Sequence, residues 1–150
     1  MKRFFTIGFL LLTLINLNSQ QSFDIKFMLE GHLREYIIVK PSKVLPSGSY
    51  PVVFMLHGTS GDGEKFFNIS EWKELGEEEN YISIYPSALS WSYIEDREEK
   101  FRTRWVEASL KPILCSGPPQ NYLDDVKFLK LIIQIISDLL PVNKSLIFAS

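Results

Sequence analysis

The residues best placed to do chemistry are His57-Gly58-Thr59. They follow directly on the apolar run Pro51-Val-Val-Phe-Met-Leu56 and open the glycine-rich stretch His57-Gly58-Thr59-Ser60-Gly61-Asp62-Gly63. Such a run reads as a central parallel strand, and open α/β sheets bind ligands at the carboxyl ends of such strands. Backbone amides just past a strand end can converge on one point, which is what a developing oxyanion requires. Gly58 lets the backbone come close to a ligand, and Thr59 has its amide aimed across the carboxyl edge of the sheet. Gly58 and Thr59 are therefore the candidate oxyanion donors, through their backbones. A tight turn around a core histidine accounts for the same residues equally well. A phosphate loop does not: Gly58, Gly61 and Gly63 are spaced G-x-x-G-x-G, the reverse of the dinucleotide fingerprint, and no Lys-Ser/Thr pair follows.

Three aromatic side chains are candidates for the wall of a substrate cleft: His57, Trp91 and Trp105. Clefts for small organic ligands are mostly apolar with few polar groups, although covering a sheet edge is the favoured reading of the two tryptophans. His32 falls in a hairpin turn and is expected to be exposed and inert. Cys115 is the sole cysteine. It is either a buried thiol or paired with a cysteine outside this sequence, and no nearby histidine supports a catalytic role. No metal and no cofactor is expected.

Several elements must position these groups. Ser22 to Met28 alternates apolar and polar residues, Arg34 to Val39 does so more loosely, and Glu30-Gly31-His32 supplies a turn, giving an antiparallel hairpin. Lys40-Pro41 to Ser49 is a loop, and the strand at Val52 to Leu56 follows. Asn68-Ile-Ser-Glu71 offers a capped helix start for a short acidic helix ending near Asn80. Tyr81 to Tyr85 is a strand stopped by Pro86. No periodicity persists from Ser87 to Tyr122, so the stretch reads as a loop; one this long is either functional or hides elements. Asp124-Asp125 put carboxylates at a helix start, where they cap free amides and meet the positive end of the dipole. Val126, Leu129, Ile132, Ile133, Ile136 and Leu140 then form an apolar face, widened by Phe128, Leu131 and Ile135. Pro141 and Asn143 end that helix, and a strand runs from Lys144 to Ala149. The order is that of a mostly parallel sheet covered by helices, with the strands at Val52 and Leu146 adjacent and parallel.

The ends and the composition bound the setting. Lys2-Arg3 precede an apolar stretch from Phe4 to Ile15 and a polar one to Gln20, the pattern of a signal peptide over 1–20. The stretch is shorter than the ~20 apolar residues of a membrane span, so no stable membrane anchor is expected and a secreted or periplasmic location is. A signal-anchor is the alternative. Residues 21–150 then form one α/β unit. The sequence is 45% hydrophobic and 23% charged with a net charge of −2, which leaves no basic field for nucleic acid. Oligomeric state is not addressed by any of these signals.

Taken in order, the motifs resemble the amino-terminal part of the secreted polyhydroxybutyrate depolymerase and feruloyl esterase group of α/β-hydrolases. The matching residues are Arg34-Glu-Tyr36, the Pro41 loop, Pro51 to Gly58, Phe67 and Trp72, Tyr85-Pro86, Trp105, Asp124-Asp125-Val126-x-Phe128-Leu129, and Lys144 to Ser150. The resemblance implies an α/β-hydrolase-like sheet that stops after the strand leading to a G-x-S-x-G-like nucleophile elbow. It also implies a secreted carboxylic-ester hydrolase working by serine acyl transfer. The nucleophile, acid and base would then lie beyond residue 150, with Ser150 the small residue before the elbow, His57 on the oxyanion strand, and Asp124 and Asp125 structural. The implied substrate is an ester of a polyester or a plant polysaccharide. A secreted serine peptidase of the same fold and a non-catalytic exported binding domain are the alternatives. The 150-residue chain alone is expected to be inactive.

Overall fold

The computed structural model describes residues 19–106 and 125–150. Most of the expected leader, Cys115 and Asp124 lie outside the described residues. The chain order is β1 (Gln21–Leu29), β2 (His32–Lys40), β3 (Tyr50–Phe54), α1 (Gly63–Ile69), α2 (Trp72–Glu79), β4 (Ile82–Pro86), β5 (Ser90–Glu95), β6 (Glu98–Thr103), α3 (Asp125–Leu139) and β7 (Val142–Ala149). Five strands form one sheet in the order β1-β2-β4-β3-β7, and β5 and β6 form a separate hairpin.

β1 and β2 pair antiparallel, Leu29 opposite His32, across a two-residue turn. Glu30 and Gly31 both take positive φ, 48° and 84°, as the favoured hairpin turn demands. His32 thus opens β2 rather than sitting in the turn. It is partly buried, with its ring 6.1 Å from that of Trp91, so the expectation of an exposed His32 in the turn is corrected. β2 pairs antiparallel with β4; β4 runs parallel to β3, and β3 parallel to β7. The expected adjacency of the two apolar strands is what forms, with Val52 opposite Ile147 and Phe54 opposite Ala149. The two crossovers carry α1 and α2 (between β3 and β4) and α3 (before β7).

Alternation along the strands divides the core by sheet face. On one face Tyr36, Ile38, Val52, Phe54, Ile82 and Ile84 pack against Phe128, Ile132 and Ile136 of α3; on the other, Val39, Met55 and Tyr85 meet Phe66, Phe67 and Trp72 of α1 and α2. The deepest row of α3 is Asp125, Phe128, Ile132 and Ile136, whereas Val126 is half exposed. The apolar face expected from Val126 is therefore rotated toward Phe128, because Asp125 and Phe128 meet Arg34, whose guanidinium lies 3.8 Å from the centre of the Phe128 ring.

Two helix expectations change. Asp62 is the N-cap of α1, its Oδ1 accepting from Lys65 N at 2.7 Å, so Asn68 lies inside a helix instead of starting one. The acidic helix starts at Trp72 with no side-chain cap from Glu71. Within the stretch expected to be a loop, Ser90–Thr103 forms the β5–β6 hairpin, turning at Asp96 and Arg97 with φ of 55° and 67°.

Candidate functional site

The carboxyl ends of three adjacent parallel strands, β4, β3 and β7, meet at one edge of the sheet. Beyond Phe54 the β3 ladder continues on both sides. Met55 N donates to Ile84 O at 2.7 Å, Leu56 N to Ser150 O at 2.9 Å, and Ser150 N to Phe54 O at 2.9 Å. The backbone then leaves the sheet at His57 and turns through Gly58 to Asp62 into α1.

His57 is buried, 5% exposed. Its Nε2 accepts the Ala88 N–H at 3.0 Å, so the other ring nitrogen, Nδ1, carries the proton and donates to Gly58 O at 2.8 Å. Both ring nitrogens are engaged, so His57 is a brace between the β3 and β4 ends and has no free nitrogen for proton transfer. The core-histidine reading of His57 and the turn reading of Gly58-Thr59 therefore hold together.

The turn is gripped from the β5–β6 side as well. Ser60 N donates to Thr103 O (2.9 Å), Trp105 Nε1 donates to the His57 carbonyl (2.8 Å), and the Trp105 ring packs on the imidazole with centroids 4.9 Å apart. Gly61 N closes the turn on Gly58 O at 3.1 Å. Between these fixed points Gly58, Thr59 and Ser60 are exposed. Among the described residues the Gly58 and Thr59 amides meet no acceptor. Ser60 sits at φ 66°, the left-handed region that costs a non-glycine residue on the order of 1–3 kcal/mol and clusters at functional sites.

The glycines differ in what they do. A Cβ on Gly63 would lie 2.3 Å from Tyr85 O, so glycine is required for α1 to start against the end of β4; there Gly63 N donates to Ser87 Oγ at 3.0 Å. A Cβ on Gly58 would meet nothing within 4 Å. The space beside Gly58 is open.

A depression of about 210 Å³ lies over this turn, lined by His57, Gly58, Thr59, Asp62, Phe66 and Ile69 with their neighbours. Of the three cleft-wall candidates only His57 borders it. Trp105 lies behind the turn, holding His57, and Trp91 sits on β5 facing His32. Larger hollows, about 280 Å³ along acidic α2 and about 300 Å³ beside α3, are lined by side chains that bring no backbone donors to one point.

Asp125 does not cap its own helix. Its Oδ1 accepts from Arg34 Nη2 at 2.5 Å and its Oδ2 from Val106 N at 2.5 Å, with Arg34 1% and Asp125 5% exposed. Burial lowers the Arg34 pKa and Asp125 opposes that pull. The bracing roles of Ala88, Thr103 and Val106 carry no signal in the sequence, because each acts through the backbone. Ser150 lies beside Leu56 at the end of β7, one residue from His57 in the neighbouring strand.

No family model matches the chain, and no curated protein does. Solved structures do. The chain is similar to a ferulic acid esterase (TM-score 0.58, 13% identity, 87% of this chain and 48% of that one). It is also similar to S-formylglutathione hydrolase from Staphylococcus aureus (0.56, 10%, 87% and 46%). A third match is a CE1 ferulic acid esterase from the anaerobic fungus Anaeromyces mucronatus (0.53, 12%, 90% and 50%). At these identities the likeness is one of fold: the sheet and its helices are a partial α/β-hydrolase-like fold. The chain spans about half the length of the structures it matches.

Proposed function

We propose that the chain supplies the amino-terminal half of a secreted carboxylic-ester hydrolase that works by serine acyl transfer. The single observation that carries the reading is the pair of amides at Gly58 and Thr59 that meet no acceptor among the described residues. They follow directly on Leu56, which pairs with Ser150 at the carboxyl edge of the sheet. In the proposed arrangement a nucleophile elbow following β7 lies on the same sheet edge as the Thr59 amide.

In this mechanism a serine Oγ after Ser150 attacks the ester carbonyl while a histidine takes its proton. The carbonyl oxygen becomes an anion held by the Thr59 amide and by an amide of the elbow, as in α/β-hydrolases generally. The alcohol leaves with the proton, and water then cleaves the acyl-enzyme by the reverse set of transfers. Each oxyanion donor contributes about 10²–10³ in rate. Within this chain the work is positional: Gly58-Thr59 donate, and His57, Ala88, Thr103 and Trp105 keep them aimed. No catalytic nucleophile, acid or base is assigned to residues 1–150, and Ser150 is the small residue before the elbow.

Feruloyl or related plant-polysaccharide esters are the substrate class best supported, since two of the similar structures are ferulic acid esterases. Polyester is the other class that the sequence motifs admit. Secretion rests on the Lys2-Arg3 charge ahead of a short apolar run, and removal of residues 1–20 is part of the proposal. Among the described residues no helix is long and apolar enough to cross a membrane.

The test is to express the full reading frame and treat it with a serine-reactive fluorophosphonate. The expected result is a single labelled serine within a G-x-S-x-G segment shortly after Ser150, and ester turnover lost on its replacement by alanine. Labelling of Ser150, or no serine labelled and no ester cleaved, refutes the reading.

A further inference from the structure

We infer that Arg34 and Asp125 are positioning residues for the oxyanion turn, acting on it through Val106 and Trp105. The inference rests on the esterase reading for its consequence in catalysis, while the structural link itself stands apart from it.

The link is continuous. Arg34 on β2 donates to Asp125 at the start of α3 (2.5 Å); the two residues are 91 apart in sequence. Asp125 holds Val106 by two bonds, Val106 N to its Oδ2 at 2.5 Å and its own N to Val106 O at 3.1 Å. Val106 is itself buried, 1% exposed. The preceding residue, Trp105, carries the indole N–H that binds His57 O and the ring that packs on its imidazole. Two residues further back, Thr103 O holds Ser60 N. The segment from Thr103 to Val106 is therefore fastened at one end by a buried ion pair. Along its length it grips the turn on both sides of Thr59, at His57 and at Ser60.

Stability alone is a poor reason for this pair. Burying two ions costs several kcal/mol each before their attraction offsets it, and apolar replacements of both are often neutral or better. Arg34 also leaves Nε and Nη1 buried without a partner among the described residues. What the pair supplies is direction: the guanidinium, held over the Phe128 ring, fixes one carboxylate oxygen through Nη2, and the other oxygen fixes Val106. An oxyanion donor is worth most when it needs no reorganisation at the moment of reaction, and a misplacement of about 1 Å costs on the order of 10² in rate.

The experiment uses the full-length protein with ¹⁵N-labelled tryptophan and histidine. The Trp105 indole resonance is assigned by its loss in Trp105→Phe, a change that keeps a ring on His57 and deletes only the N–H···O bond. In Asp125→Asn, which keeps the shape and an oxygen for Val106, the Trp105 indole N–H is expected to shift toward the position of a solvent-exposed indole. The His57 ring nitrogens are expected to lose their fixed Nδ1–H pattern. On an aryl ester kcat is expected to fall about tenfold or more with KM changed less than about twofold. The double variant Asp125→Asn/Trp105→Phe should lose no more than the worse single variant, since both act on one path.

Unmoved Trp105 and His57 resonances in folded Asp125→Asn, or losses that multiply in the double variant, overturn the proposal. A fall in melting temperature with both resonances and kcat intact does so too. Should Asp125→Asn fail to fold, Arg34→Met/Asp125→Asn removes both charges together, leaving no lone buried ion, and the same resonances decide. If the wild type cleaves no ester, the esterase reading fails while the resonances still decide the link.

Discussion

Replacing Gly63 and Gly58 by alanine, one at a time, separates what holds the turn from what uses it. In Gly63→Ala the new Cβ would stand 2.3 Å from Tyr85 O, 2.9 Å from Tyr85 C and 3.1 Å from Pro86 C. Against an ordinary contact of 3.4 Å the first is short by about 1 Å, and all three atoms are backbone of the central strand β4, which cannot swing aside as a side chain would. The start of α1 must lift instead, which strains the bond from Gly63 N to Ser87 Oγ. Overpacking of this kind costs about 1–3 kcal/mol. For a domain of roughly 150–250 residues, that lowers the melting temperature by about 2–12 °C at 2–4 °C per kcal/mol. In Gly58→Ala the Cβ meets nothing within 4 Å and the glycine is not at positive φ, so stability should stay within about 0.5 kcal/mol. That methyl group would instead project beside the free amides. Ester turnover should therefore fall by about 10² or more if the space is where the tetrahedral intermediate sits. Melting curves and steady-state kinetics on the two full-length variants decide it. An unshifted melting temperature for Gly63→Ala would refute the packing argument. Wild-type turnover in Gly58→Ala would refute the oxyanion assignment.

His57→Ala should leave the buried Ala88 N–H without an acceptor and cost about 1–3 kcal/mol, read as a lower denaturant midpoint; an unchanged midpoint would show that His57 braces nothing. Ile132→Ala, at a side chain with no exposure in the α3 core, should cost about 2–5 kcal/mol, checked by the same titration. At alkaline pH, burial pushes the Tyr81 hydroxyl up to about 12 from its ordinary value of 10.0. Its contribution to stability should thus be complete below about pH 10 and decline as pH rises toward 12. Tyr81→Phe should flatten that decline in urea midpoints taken from about pH 9 to about pH 12, and an unchanged slope would assign it to other groups.

What the sequence makes legible is whatever is local and periodic. The β1–β2 hairpin shows in its alternation and its Glu30-Gly31 turn. β3, β4 and β7 show as apolar runs with Pro86 closing one of them, and α3 in its repeat of isoleucines. Parallel pairing of β3 with β7 follows from crossover geometry once the helix between them is recognised. The β5–β6 hairpin is hidden because its exposed positions mix apolar Ile94 and Phe101 with Glu98, Glu99 and Arg102, and because its turn is Asp96-Arg97, where Asn-Gly or Asp-Gly is the usual signal. α1 is hidden because Gly63, a poor helix former, occupies the first position after its Asp62 cap. That glycine is imposed by β4, a contact 22 residues downstream. At the site, the Gly58-Thr59 turn can be read from strand-then-glycine order. The bracing of His57 cannot, since its ring partner Ala88 acts through a backbone amide 31 residues away.

These long-range braces bear on the proposed oxyanion role of the turn. A turn of exposed residues with Ser60 in the left-handed region and two amides lacking acceptors is, by itself, a poor local minimum. It holds its shape because its neighbours over-determine it: the His57 ring is tied at both nitrogens, the His57 carbonyl to Trp105, the Ser60 amide to Thr103, and the Gly61 amide to Gly58. Five hydrogen bonds surround Thr59, and among the described residues none uses its amide. Had the turn been closed through the Thr59 N–H, that donor would be spent within it, and binding an anion would require breaking a bond first. Anchoring the flanking groups to Ala88 after β4 and to Thr103 and Trp105 at and just past the end of β6 leaves the Gly58 and Thr59 amides unspent among the described residues. In that arrangement strain at Ser60 is offset elsewhere in the fold, and the stabilisation of a developing oxyanion is not diminished by reorganisation.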